Sequence, residues 1–217
     1  MKNEIIKPMD IAEIAAKSTL SIIPVGGTLI SCVWDSIKAN CAQKRLDDWK
    51  QLLEERLTLV EKTLEQVGEN ECFTTAMMKA TDSAIKTMEN EKRRYLADAV
   101  LNSLTCEIGE SIIMMYFDMI DKYTVWHMKI LNFFNDPKKF EGISENNYLM
   151  GSPMEPLTSV YPELNKNRDM VDKIIKELYL DGMMNTESIH CTMTASGMVA
   201  SRTTKLGDSF ISFITKH

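Results

Sequence analysis

Three histidines and five cysteines are the residues of this sequence that could carry nucleophilic, acid–base or metal chemistry. His127, His190 and His217 form neither an H-x-x-x-H nor an H-E-x-x-H pattern, the spacings that bring two imidazoles to one helix face around a metal. His190 and Cys191 are adjacent. In the extended segment expected there, neighbouring side chains point to opposite faces, so the two do not make a nucleophile–base pair. Cys32, Cys41, Cys72, Cys106 and Cys191 contain no C-x-x-C pair and read as reduced thiols of a cytoplasmic protein. The carboxylate pairs Asp47–Asp48, Glu54–Glu55 and Asp118 with Asp121 read as solvated helix charge. A di-metal site between helices would require Glu-x-x-His, which does not occur. Pro24-Val25-Gly26-Gly27-Thr28 lacks the spacing and the lysine of a phosphate loop. These residues predict no enzyme, no cofactor, no metal site and no small-molecule substrate.

The elements around them are helical. Sixteen methionines, with only nine glycines and six prolines in 217 residues, favour a mainly α fold. The organising stretch is Ser18–Val67. It opens with the uncharged segment Ser18–Trp34, which is broken by Pro24 and Gly26–Gly27. It continues as a heptad-like stripe, Leu46, Trp49, Leu53, Leu57, Val60, Leu64 and Val67. The stripe slips phase at Ala39–Lys44, where a bend is expected, because an unbent helix would span roughly 60 Å. Helices follow over residues 73–88, from Asn90, over Ser111–Lys122 and over Val125–Phe134, with Lys92, Arg93 and Arg94 on an outer face. The expected division is a helical bundle over 1–135, a linker or long loop over 136–156, and a smaller α+β module over 157–217. In that module a helix over Leu157–Leu164 precedes an amphipathic one over Arg168–Tyr179. Met183–Thr204 suits a two-stranded hairpin, and Ser209–Thr215 a last helix.

Asp172-Lys173-Ile174-Ile175-Lys176-Glu177-Leu178, the exit Leu180-Asp181-Gly182-Met183, and Thr203-Thr204-Lys205-Leu206-Gly207 stand at winged-helix spacing. The part from Pro156 to His217 therefore resembles a winged helix. That implies a second helix able to enter a DNA groove or dock a protein, through Asn167, Arg168, Lys173, Lys176, Arg202 and Lys205. The N-terminal half is similar to helical domains of small bacterial proteins from phage-defence and mobile-element neighbourhoods. Ile23-Pro24-Val25-Gly26-Gly27-Thr28 and Glu91-Lys92-Arg93-Arg94-Tyr95 carry that similarity.

A net charge of −6 weighs against a nucleic-acid binder, and the second helix of the module mixes three acids with three bases. The expected function is non-enzymatic: a cytoplasmic bacterial interaction or effector protein, in phage defence, acting by helix-mediated association. The stripe would serve self-assembly into a homo-oligomer. Ile22, Ile23, Pro24, Gly26, Gly27, Leu29 and Ile30 would become membrane-active only on activation. The alternatives are a winged-helix transcription regulator that dimerises through the long helix, and a structural subunit of a larger complex.

Overall fold

The computed structural model describes residues 28–58, 71–104 and 108–215, with side chains in the first of these from Ala39 onward. The chain is mainly helical, with nine α-helices and a two-stranded antiparallel sheet among the described residues. The helices are α1 (Thr28–Thr58), α2 (Glu71–Lys86), α3 (Asn90–Asn102), α4 (Glu110–Lys122), α5 (Val125–Asn135), α6 (Met154–Val160), α7 (Arg168–Leu180), α8 (Ala195–Met198) and α9 (Lys205–Ile214). Strand β1 is Met150–Gly151 and β2 is Met193–Thr194. None of the described helices is long and apolar enough to cross a membrane.

Two compact units divide the chain, Met1–Cys41 and Ala42–His217. Of the first, the described part is the beginning of α1. The segment Ile22–Gly27 of the expected membrane-active stretch lies outside the described residues, and Leu29 and Ile30 fall within α1. The backbone of α1 is helical through Ala39–Lys44, the place of the expected bend.

In the second unit one apolar core runs from Trp49 to Ile214. α1 lies antiparallel to α2, with Trp49 Nε1 donating to Thr81 Oγ1 at 3.0 Å and Arg45 Nη1 to Ile85 O at 3.0 Å. α2 runs parallel to α4, which the pairs Lys79–Asp118 and Ser83–Asp121 fix. α3 packs against α2, α4 and α9, and α5 packs against α7 and α9. The final helix buries Phe210, Ile211, Phe213 and Ile214. Phe210 stands edge-on to Tyr116 at 5.4 Å, and Phe213 edge-on to Phe117 at 5.7 Å.

Residues 136–156, expected as a linker or long loop, form a connection packed on the core: Pro137, Ile143 and Met154 are buried, and Phe140 lies 5.2 Å from Phe133 and 6.3 Å from Tyr161. Residues 157–217 share the core of the preceding helices rather than forming one of their own. The hairpin expected within Met183–Thr204 is also different. β2 pairs with β1, Met150 opposite Thr194 and Gly151 opposite Met193, and a single bridge, Met184 to Thr203, closes the segment at its base. The helix expected over Leu157–Leu164 ends at Val160, and a 3-10 turn over Pro162–Lys166 replaces its second half. Pro162 offers no amide hydrogen to continue the α ladder.

Lys92 and Arg93, expected on an outer face, are buried. Each satisfies carbonyls at a helix end, where the last four have no partner within the helix. Lys92 Nζ donates to Asp121 O and Tyr123 O at 2.8 Å each, at the end of α4. Arg93 Nη1 donates to Thr87 O at 3.1 Å, just past α2, whose last carbonyls Arg45 also reaches. Asn102 does the same for α9, its amide donating to Phe213 O at 2.9 Å.

The entry to α9 depends on a glycine. Thr204 Oγ1 accepts from Gly207 N at 3.1 Å and donates to Gly182 O at 2.6 Å, tying the helix start to the exit of α7. A Cβ on Gly207 would lie 2.2 Å from the Met183 carbonyl oxygen, a backbone atom. Gly207→Ala should therefore lower stability by about 3 kcal/mol. The readout is a lower urea midpoint at unchanged slope, and a wild-type midpoint would show that the contact yields without cost.

Candidate functional site

α7 is built by Val171, Ile174, Ile175 and Leu178, spaced at three and four residues and all buried. Gly182, at φ +74°, ends it. Gly182 N donates to Tyr179 O at 3.0 Å and Met183 N to Leu178 O at 2.8 Å, the paired bonds of a glycine-terminated helix.

A polar network fastens the inner edge of α7 to the α4–α5 corner. His127, buried on α5, accepts from the Thr124 backbone N–H through Nδ1 at 3.3 Å. Nε2 therefore carries the hydrogen and donates to Glu177 Oε2 at 2.9 Å. The Tyr123 ring stacks on the imidazole, with centroids 5.0 Å apart and planes 4° from parallel. Tyr123 Oη donates to Asp181 Oδ2 at 2.8 Å, and Lys122 Nζ reaches the same carboxylate at 2.6 Å. Burial first, then the Asp181 hydrogen bond and charge, push the Tyr123 phenol well above its ordinary value. Thr124, His127 and Glu177 form a hydroxyl–imidazole–carboxylate string. Nδ1 is taken up in capping α5, so the string serves as a fastening. Sequence reasoning missed it, because His127 and Glu177 are fifty residues apart and neither belongs to a motif.

Burial pulls the His127 pKa down, against the hydrogen bond and charge of Glu177. Lys122 adds to the lowering and Asp181 opposes it. The folded chain thus holds this proton less readily than the unfolded one. The stability it contributes is complete above about pH 6.5 and declines as pH falls below that value toward the lowered pKa. Urea midpoints of the wild type should fall between about pH 6.5 and 5, and those of His127→Gln should be flatter there. Parallel slopes in the two proteins would rule out His127 as the cause.

The outer face of α7 carries most of the contact residues expected from the sequence. Asn167, Arg168, Lys173 and Lys176 are exposed, and so is Lys205 at the start of α9. Arg202 is not on this surface. It is buried, and its guanidinium donates to Gly197 O. Two of the three acids of α7 are engaged within the chain, and the third, Asp169, is exposed with no ion-pair partner among the described residues. Asp172 holds His190 Nε2 at 2.6 Å, while Glu177 holds His127 and sits 3.8 Å from Lys173 Nζ. Arg168, Lys176 and the neighbouring Lys166 have no ion-pair partner among the described residues. Tyr179 and Leu180, 41% and 70% exposed, close the face.

The association stripe is placed elsewhere. Trp49, Leu53 and Leu57 are buried in the core and Leu46 packs against it, while Val60, Leu64 and Val67 lie outside the described residues. His190 and Cys191 lie in an irregular loop, not a strand, and the imidazole turns to Asp172. Among the described residues no group of three or more His, Cys, Asp or Glu is placed to hold a metal ion. Comparison with family models, with curated proteins and with solved structures finds no match.

Proposed function

We propose that this chain is a non-enzymatic interaction protein that docks an acidic protein segment through the exposed face of α7. One observation carries the reading. The carboxylates of Asp172 and Glu177 are engaged inside the chain, while Arg168 and Lys176 are left without partners beside exposed Tyr179 and Leu180. An apolar anchor rimmed by unpaired cations suits a partner with carboxylates around an apolar residue. Duplex DNA fits less well. Phosphates offer nothing to Leu180, Arg202 is turned inward, and the loop Asn185–Ser196 has no lysine or arginine. In the winged-helix-like reading, α6, the 3-10 turn and α7 form the docking module. The likeness of the N-terminal half to phage-defence proteins supports an effector role that such docking would control.

Fluorescence anisotropy with an amphipathic peptide, glutamate on one face and leucine on the other, tests this against a DNA duplex. The peptide should bind, and Lys176→Glu with Leu180→Ser should weaken it about tenfold or more. Tighter binding of the duplex, with a steep salt dependence, would overturn the reading in favour of nucleic acid.

A further inference from the structure

The motif Glu91-Lys92-Arg93-Arg94-Tyr95 opens α3, and four of its five residues have internal work. Glu91 pairs with Lys129 at 2.8 Å. Lys92 and Arg93 hold carbonyls of α4 and of the α2 exit. Tyr95 packs on the core, close enough to Glu91 for a hydrogen bond. Arg94 is exposed and has no hydrogen bond or ion pair among the described residues. It lines a cleft of about 340 Å³ with Asn90 and Arg93 on one wall. The other wall is one face of α1, where Asp48, Gln51, Leu52 and Glu55 recur at three and four residues.

Charges of both signs face this cleft without meeting. Asp48 has no partner among the described residues, and Glu55 receives only the Gln51 amide, at 3.1 Å. Three nearby arginines are spent elsewhere: Arg45 on the α2 carbonyls, Arg56 on Asp98 at 3.4 Å, and Arg93 on Thr87 and Asn90. Half-buried Leu52 adds an apolar surface between the two carboxylates. A cleft of this size takes a small ligand. One with an anionic and a cationic end would complete both walls, whereas a singly charged one would leave the other wall repelling or unanswered.

We propose that this cleft binds a small zwitterion, an amino acid or a short peptide, with Arg94 receiving its carboxylate and Asp48 and Glu55 its ammonium group. The site is separate from the α7 face and stands whether or not that face docks a partner.

The test follows backbone amide NMR shifts of the full chain during titration with alanine and with glycylglycine, with propionate and propylamine as singly charged controls. One of the zwitterions should give saturable shifts at residues 48–55 and 90–94, with a Kd of about 1 mM or below. Arg94→Gln, and Asp48→Asn with Glu55→Gln, should each weaken it about tenfold or more. These side chains are exposed, so the variants fold, and unchanged spectra away from the cleft confirm it. Absence of saturation with both zwitterions, equal binding of propionate alone, or undiminished binding by the variants would each overturn the proposal.

Discussion

Lys92→Met should lower the stability of the folded chain by about 3 kcal/mol, while Arg94→Met, two residues on, should change it by less than about 0.5 kcal/mol. Both side chains are cationic and both belong to the first turns of α3. They differ in what they do. The Lys92 ammonium is buried and donates at 2.8 Å to two carbonyls, Asp121 O and Tyr123 O, where α4 ends. Methionine fills similar space but donates nothing, and each carbonyl left dry costs about 1–3 kcal/mol. Burial draws the Lys92 pKa below its ordinary value, and the charges of Asp121 and Glu89 oppose that. The negative end of the α4 dipole adds to the stabilisation of the charge. For a chain of this length, 3 kcal/mol is roughly 9 °C in Tm. Calorimetry on the two variants measures both. Equal, small shifts would show that Lys92 is a surface cation after all, its carbonyls satisfied by water.

The contrast between these neighbours shows what could be seen in the sequence. The faces of α7 and of α1 beyond Leu46 were legible, because apolar spacing at three and four residues encodes burial directly. The starts of α3 to α5 were legible from turn residues such as Asn90, Gly109 and Thr124. Lys92 and Arg93 were not. A run of cations reads as solvated charge, and whether it is buried depends on a helix end brought close by tertiary packing. Residues 136–156 lose periodicity and so look like a linker. Yet Pro137 and Ile143 are buried singly and Pro153, Met154 and Pro156 in a cluster, which leaves no period to detect. The sheet was missed for a similar reason: strands of two residues carry no alternation, and β1 and β2 stand far apart in the chain. At the candidate site, the cations of α7 were legible. The engagement of Glu177 by His127 and of Asp172 by His190 was not, and those contacts decide how two of its carboxylates are held.

Trp49→Ala should cost about 4 kcal/mol, roughly 12 °C in Tm, and the loss should not depend on protein concentration. Heptad spacing alone admits two roles for the stripe of α1, a seam within the chain or a seam between two copies. The Trp49 ring is 1% exposed, and its Nε1 donates to Thr81 Oγ1 at 3.0 Å across the α1–α2 contact. Leu53 and Leu57, one and two turns on, are 6% and 4% exposed. These side chains are thus consumed by the single chain, and removing the indole opens a cavity in the fold itself. Trp49→Phe retains most of the apolar volume and should lose about 1 kcal/mol, chiefly the hydrogen bond to Thr81. A seam between copies makes a different prediction. The wild-type midpoint would climb with protein concentration by mass action, and Trp49→Ala would release a folded monomer. Thermal unfolding across a hundredfold range of concentration, with light scattering on the variant, separates the two. A concentration-dependent midpoint, or a folded and dissociated Trp49→Ala chain, would return the stripe to an intermolecular role.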